Sequence, residues 1–431
     1  MDEHVHRHHE ENMLSVEDAR DKILGTVRKT EKVTIPVIDS LGLVLTDNVE
    51  SSINIPPYDN SAMDGYAIRA EDVLEATPDN PTILNVIETI AAGQLPQEDL
   101  KEATAARIMT GAPIPNGSNA VVPFEDTTES ETFFKGGTEQ IGICVAVRAN
   151  SDIRRAGGDV RLGQKVLNQG TTISSSVIAV LSSLGQDKVS VYRRPVVSII
   201  STGDELLQPG NKPEPGKIFD SNTSGLIAAV IEAGGFPKTY GIVKDDLDAL
   251  DSVLEDASQY DLVITSAGVS KGDYDVVKTA LSNRGVLNFW SIRMRPAKPL
   301  AFGTLHRSDS NKSTPLIGLP GNPVSSLVAF EQFCRPAIRK MLGKKFSHRP
   351  TIKAYLTDTI RNFDGRRVYA RVTIEKNESG YIATTTGSQE SNVLTSMALA
   401  DGLAICPENV ESQNPGDIVE VVMTSWPEEF I

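Results

Sequence analysis

Histidine is nearly absent from the body of this chain. Four of its six histidines, His4, His6, His8 and His9, fall in the first nine residues, which leaves His306 and His348 for the rest. A Ser/His/Asp or Cys/His machine needs a well-placed imidazole, and neither remaining histidine sits in a recognisable motif. Chemistry therefore falls to carboxylates, lysine, arginine, backbone amides or a metal. Cysteine is equally sparse. Cys144, Cys334 and Cys406 lie far apart with no CxxC pair, which excludes a cysteine-rich zinc module and gives no reason to expect a disulfide framework. No apolar run approaches a membrane span. The opening MDEHVHRHHEEN is charged and lacks an apolar stretch, unlike a secretory signal; it reads as a solvated leader, and the cytoplasm is the expected compartment. Positive charge is also in deficit, 42 Lys and Arg against 57 Asp and Glu, for a net charge of −15. That balance argues against a nucleic-acid or anionic-membrane partner and leaves room only for a local basic pocket. Neither GxxxxGK[ST] nor GxGxxG occurs, so the common nucleotide loops are missing.

At about 100–200 residues per domain, 431 residues predict two to four domains. Ser15 and Asp18 form a capping-box pattern ahead of Ala19, Ile23 and Leu24, which predicts a first helix. Short β-like runs broken by Pro and Gly follow from 33 to 147. Residues 163–170 read as turn, strand, turn, and Ser174 or Ser175 opens a helix stopped by Gly185. After Pro195 the pattern becomes alternating strand and helix. Strands are predicted at 196–200, 240–243, 262–265 and 316–319, with helices at 222–233, 247–257 and 275–281 and from Pro323 onward. Such alternation implies a parallel sheet with covering helices. Beyond 344, five strand-like runs predict a small β-barrel or sandwich. The fold class is thus multidomain α/β plus β.

In open α/β sheets, ligands sit outside the carboxyl ends of the strands. There the sequence places Ser201–Glu205, Lys244–Asp246, Ser266–Asp273 and Pro320–Pro323. Small residues let backbone N–H groups approach an anion, and Glu205, Asp245 and Asp273 are a candidate carboxylate set for Mg²⁺ beside phosphate. Asp245, Asp246 and Asp273 equally suit helix N-caps, so both readings stand. The segment 293–299 is basic. Arg293 and Arg295 share strand parity, and Pro on both sides of Ala297-Lys298 fixes where Lys298 points. It suits either an oxyanion seat or a charge-protected edge strand. Three further segments, 56–67, 109–117 and 154–160, are dense in turn formers.

Six of these segments carry a resemblance. PPYDNSAMDGYA (56–67), RIMTGAPIPNG (107–117), STGDEL (201–206), TSAGVSKGDYD (265–275), MRPAKPLAFG (294–303) and GLPGNPVSS (318–326) occur in this order. Together they resemble the MoeA-type molybdopterin molybdenumtransferase family, to which the C-terminal domain of gephyrin and the corresponding domain of plant Cnx proteins belong. The match runs from about Leu14 to Trp426.

The resemblance implies four domains: a discontinuous first domain (14–50 with 150–192), a β-rich insertion (51–149), an α/β molybdopterin-binding domain (193–343) and a C-terminal β-barrel (344–431). It implies a homodimer in which domains of both copies frame the site. The implied reaction inserts molybdate into adenylylated molybdopterin with release of AMP, assisted by Mg²⁺. Carried over motif by motif, Asp64, Thr110, Asp159, Glu205, Asp245 and Asp273 are the implied catalytic residues, with Asp245, Asp273 and Glu205 facing the metal. Ser266, Gly268, Pro320 and Gly321 are implied to line the pocket. Arg295 and Lys298 are implied to hold phosphate or molybdate, with Ser325, Arg366 and Ser388 at the anion end. The molybdopterin adenylyltransferase and apo-molybdoenzymes are the implied protein partners. The chain departs from the family at Ala267 and Ala297, where glycine is usual. It departs also at Gly158 and Asn119, where acids are usual, and at Ser291, where some members carry a basic residue. A methyl group in either glycine turn narrows the backbone approach to an anion.

Overall fold

The computed structural model describes residues 13–131, 140–244, 246–266, 280, 284–307, 312–345 and 348–425. Apart from residue 280, the helix expected at 275–281 lies outside the described residues, as does the His-rich leader. The chain divides into two compact units. One takes in the chain up to Thr46, Thr172–Ser175 and everything from Lys188 onward; the other is Asp47–Thr171 with Ser176–Asp187.

In the first unit, helix α1 (Val16–Thr26) begins where the capping pattern predicts. Ser15 Oγ accepts from the Asp18 N–H at 3.0 Å, and Val16, Ala19 and Ile23 are buried. Such a cap contributes about 1 kcal/mol. The α/β layer is a six-stranded sheet. Its strands are β1 (Val196–Thr202), β2 (Phe236–Val243), β3 (Leu262–Ser266), β4 (Gly285–Ser291), β6 (Pro299–His306) and β7 (Ser313–Leu319), in spatial order β2-β1-β3-β7-β6-β4. The four strands β2, β1, β3 and β7 are parallel, with Val197 opposite Leu262 and Val263 opposite Leu316. All five residues of β3 are buried, as a strand covered on both faces requires. Helices α2 (Ser221–Ala233) and α3 (Leu247–Ala257) start on the caps Asp220 and Asp246, and α2 stops at left-handed Gly234. Thus Asp246 caps, as one of its two sequence readings has it. The helix predicted from Pro323 is α4 (Pro323–Ala329). It runs through a π turn (Phe330–Cys334) into α5 (Arg335–Met341).

The sheet is not wholly parallel. Strands β4 and β6 add an antiparallel edge that the alternation of strand and helix does not predict. Backbone approach at this edge is close enough to demand glycine. A Cβ on Gly303 would stand 2.0 Å from Val286 O, and one on Gly285 would stand 1.9 Å from Thr304 O.

Between β4 and β6 the two-residue strand β5 (Met294–Arg295) leaves the sheet and joins the barrel. The barrel strands are β8 (Thr351–Leu356), β9 (Arg367–Asn377), β10 (Gly380–Thr385), β11 (Gly402–Cys406) and β12 (Ile418–Met423). Their order β9-β10-β8-β12-β11 closes through a β9–β11 pairing. Closure removes both edges, and Leu356, Ala370, Val372, Ala404 and Val421 fill the interior. β5 runs parallel to β9, with Arg295 opposite Val368. The Arg293 N–H donates to Leu14 O at 2.8 Å, and the Arg367 N–H donates to Arg293 O at 3.1 Å.

The second unit is β-rich. Its largest sheet has five strands: Ala120–Pro123, Gly65–Ile68, Thr104–Ile108, Thr82–Ile90 and Gln140–Ile143, in spatial order. Asn119 fits its place better than the acid usual there. Its Oδ1 accepts from the Ala70 N–H at 2.8 Å while its Nδ2 donates to Glu71 at 2.8 Å. A carboxylate would repel Glu71.

The edge pair gives the first prediction. Gly303→Ala should destabilise the protein by about 3 kcal/mol, at the upper end of overpacking costs. Chemical denaturation would read this as a lower midpoint at unchanged slope.

Candidate functional site

A cleft of about 1480 Å³ lies between the carboxyl ends of β1, β3 and β7 on one side and the barrel on the other. The α/β wall is built from strand ends, where polar residues end apolar runs. Ser201, Thr202 and Ser266 are the last residues of β1 and β3 and are buried. Asn222, in the first turn of α2, ties these ends together. Its Nδ2 donates to Ser266 Oγ at 2.9 Å and to Gly321 O at 2.7 Å. Glu205 is exposed and folds back over Gly203, where an added Cβ would stand 2.6 Å from Glu205 Oε2. Asp220 also lines the wall, but its carboxylate is engaged as the α2 cap, accepting from the Thr223 N–H and hydroxyl.

The opposite wall is cationic. Five basic residues line the cleft (Arg295, Lys298, Arg361, Arg366 and Arg371) against three acids (Glu205, Asp220 and Glu390). In a chain of net charge −15, this is a local reversal of sign. Lys298 is exposed and makes no ion pair with a described residue. Arg371 is only 1% exposed. Its Nε donates to Ser396 Oγ at 3.1 Å, and its Nη2 donates to the Ser388 and Glu390 carbonyls at 3.2 and 3.0 Å. No described carboxylate pairs with it, and burial pushes its pKa down to about 10. Dipoles alone hold this charge, so it favours an anion in the adjoining cleft. The same bonds fix the loop that carries Ser388 and Gln389.

The segment 295–299 shows why proline and lysine stand where they do. The Arg295–Pro296 peptide is cis, Ala297 is 5% exposed with φ +75°, and the Ile292 N–H donates to Lys298 O at 2.7 Å. A left-handed residue there is what glycine supplies. Ala297 keeps that conformation and bears its steric cost.

Of the residues singled out from the sequence, Glu205, Ser266, Arg295, Lys298, Pro320, Gly321, Ser325 and Arg366 all line this one cleft. Ser388 is adjacent: its carbonyl is bound by Arg371, and its exposed side chain lies between lining residues Gly387 and Gln389. Asp245, Gly268 and Asp273 lie outside the described residues. Asp64, Thr110 and Asp159 belong to the second unit. There the Asp64 carboxylate accepts from the Thr110 N–H at 2.7 Å and its hydroxyl at 2.8 Å; these bonds hold its pKa below the usual range. Nearby in sequence, Asp59 accepts from the Ala156 N–H at 2.8 Å and pairs with Arg155. The turn-rich segments 56–67, 109–117 and 154–160 are therefore bound to one another. Asp159 is exposed.

The sequence reading missed Asn222, Arg371 and Asp364. Asn222 was findable as an amide in the first turn after a strand on the predicted ligand edge. Arg371 has no such signal, because its part depends on burial. Asp364 pairs with Arg366 and stands 3.9 Å from Arg295, so neither arginine is an unpaired cation. For a metal, Glu205 is the lining carboxylate free of a capping role on the α/β wall. Among the described residues no three His, Cys, Asp or Glu side chains group to hold an ion. The described residues alone do not form a Mg²⁺ cradle.

Comparison with known proteins covers nearly the whole chain. Residues 14–185 match the MoeA N-terminal region (domain I and II), 198–340 a probable molybdopterin binding domain, and 353–423 the MoeA C-terminal region (domain IV). The chain is 37% identical over 416 residues to molybdopterin molybdenumtransferase 2 of Mycobacterium tuberculosis, covering 95% of this chain and 99% of that one. It is 32% identical over 422 residues to the Bacillus subtilis molybdopterin molybdenumtransferase, covering 96% of each. Among solved structures, a molybdopterin biosynthesis MoeA protein from Pyrococcus horikoshii superposes with TM-score 0.76 at 29% identity, covering 95% of this chain and 100% of that one.

The strained turn gives the second prediction. Ala297→Gly should raise stability by about 1 kcal/mol, since glycine carries no penalty at positive φ. The gain is partly offset by the entropy glycine adds to the unfolded chain. A rise in the denaturant midpoint would confirm it.

Proposed function

Because the chain belongs to the MoeA family, we propose that it is a molybdopterin molybdenumtransferase, inserting molybdate into adenylylated molybdopterin with release of AMP in molybdenum-cofactor biosynthesis. One observation carries this reading: a cationic cleft on an acidic chain, at the ligand edge of a parallel sheet and lined by seven residues of the family motifs together with Arg366. A phosphoanhydride and a tetraoxometalate are both oxyanions, and both need charge of this sign.

The residues divide the work by type. Lys298 and Arg366 neutralise the oxyanions, Arg371 adds buried positive potential, and the Ser266 and Gly321 edge receives the nucleotide-bearing end. Asn222 holds that edge in place. Among the described residues no histidine lines the cleft; we assign turnover to charge neutralisation and positioning. We assign Mg²⁺ to Glu205 together with Asp245 and Asp273, where it would offset phosphate charge when bound. The reading keeps the four-domain division 14–50 with 150–192, 51–149, 193–343 and 344–431. It keeps a homodimer, with Asp64, Thr110 and Asp159 completing the site, and a cytoplasmic setting. The supply of adenylylated substrate points to an adenylyltransferase partner, and the product points to apo-molybdoenzymes.

The test is direct. Purified protein given adenylylated molybdopterin should release AMP in a molybdate-dependent way. Lys298→Ala should lower that rate at least about 100-fold, on the scale of losing one positioned electrostatic group, with an unchanged unfolding midpoint. AMP release that ignores molybdate would refute the assignment. So would rapid formation of the adenylylated compound from ATP and molybdopterin.

A further inference from the structure

Arg295 and Arg366 are the cleft arginines expected to take an oxyanion, yet an acid of the loop that carries Arg366 already pairs with both. Asp364 Oδ2 accepts from Arg366 Nε at 2.9 Å and from Arg366 Nη2, and stands 3.9 Å from Arg295 Nη1. Asp364 Oδ1 lies 3.4 Å from the Arg366 backbone N–H. The remaining bonds of the two guanidinium groups go to main-chain oxygens: Arg366 Nη1 to Met294 O at 3.3 Å, and Arg295 Nη2 to Arg361 O. Arg366 thus has its Nε, Nη1 and Nη2 engaged by the chain itself, and Arg295 its Nη2, with the Asp364 charge close by.

A carboxylate and one edge of a tetrahedral oxyanion offer a guanidinium the same thing, two charged oxygens at hydrogen-bond distance. Burial works to raise the Asp364 pKa, but the hydrogen bond and charge of Arg366, with Arg295 behind it, outweigh burial and hold it below the usual range. The group is therefore anionic at neutral pH. It is also exchangeable. The Asp364, Arg295 and Arg366 side chains are 35%, 31% and 19% exposed, and solvent keeps such a pair weak. Asp364 sits in the short connection between Ile360–Arg361 and β9, beside Gly365 at φ +65° and Phe363 at 78% exposure.

We propose that Asp364 is an internal counter-anion that sets the affinity of this seat. It fills the place of a ligand oxyanion between Arg295 and Arg366, and must yield before phosphate or molybdate oxygens bind there. The inference rests on the reading of the cleft as an oxyanion site. Its logic is electrostatic. Two cations that share one oxygen would repel each other if left bare, so the internal acid keeps them close, at the cost of competing with the ligand. Apparent affinity then falls by the fraction of time the seat is open. If Asp364 fills the seat about nine-tenths of the time, removing its charge gains about tenfold.

Calorimetric titration of the full-length chain with sodium molybdate, and separately with inorganic phosphate, tests this. Asp364→Asn should bind one or both anions about tenfold more tightly than the unaltered chain, and Asp364→Ser should agree, with thermal unfolding confirming that each variant is folded. Arg366→Ala should bind more weakly. If both Asp364 variants bind no more tightly than the unaltered chain while Arg366→Ala binds more weakly, Asp364 merely positions Arg366 and the proposal falls, but the anion cleft stands. If Arg366→Ala binds as the unaltered chain does, the anion reading of this seat fails, and the proposal with it.

Discussion

The cleft depends on a ladder two residues long. Met294 and Arg295 leave the α/β sheet and pair in parallel with Arg367 and Val368 of the barrel. That pairing fixes the α/β wall against the barrel wall. It also puts Arg295 within reach of the 361–366 loop. The ladder is short but anchored on both sides. The Arg293 N–H donates to Leu14 O, the Arg367 N–H donates to Arg293 O, and Ile292 and Met294 are fully buried. Backbone hydrogen bonds in a buried setting are costly to leave unmade. The geometry of the anion-facing residues therefore follows from main-chain pairing more than from the side chains themselves.

Charge is arranged differently on the two walls. Among the described residues the α/β wall offers neutral donors and strand ends, and its buried acid, Asp220, is spent on a helix cap. The cations lie on the barrel and on the 295–298 segment that leads from it back to β6, and each is held differently. Arg371 is buried and dipole-solvated, Arg366 is paired with Asp364, and Lys298 is exposed. A buried uncompensated cation gives a long-range field that salt screens poorly, whereas an exposed lysine is screened within a Debye length of about 8 Å. Between them the wall has both depth and reach.

Much of this was legible from sequence because local chemistry and global fold agree. Ser15 capped α1, Gly234 closed α2, and Asn322-Pro323 opened α4 where the capping rules place them. The barrel strands followed from five strand-like runs, although β9 buries five residues in succession, Val368–Val372, rather than alternating. Two things stayed hidden. Strands β4 and β6 flank a proline-rich basic stretch, and the glycines that permit their close approach look like turn residues in one dimension. The pairing of Asp364 with both arginines was equally unreadable. Asp364 is two residues from Arg366 but 69 from Arg295 in number, and only the ladder brings the three together. Likewise, the part Arg371 plays is a matter of burial, which an arginine in the middle of a strand does not announce.

The scarcity of histidine noted at the outset acquires a physical meaning here. A site built to move protons near neutral pH most readily uses histidine, whose unperturbed pKa falls there; among the described residues the cleft has none. It has arginines, which stay charged, a lysine and hydroxyl or amide donors on rigid strand ends. Such a set can hold several oxyanions together against their mutual repulsion. Bringing a negatively charged oxometalate to a ligand that already carries phosphates is costly first of all because like charges must be crowded. A cleft of fixed cations in an otherwise acidic chain lowers that cost without competing chemistry, and an internal acid that shares those cations keeps the seat from being a permanent trap for stray anions.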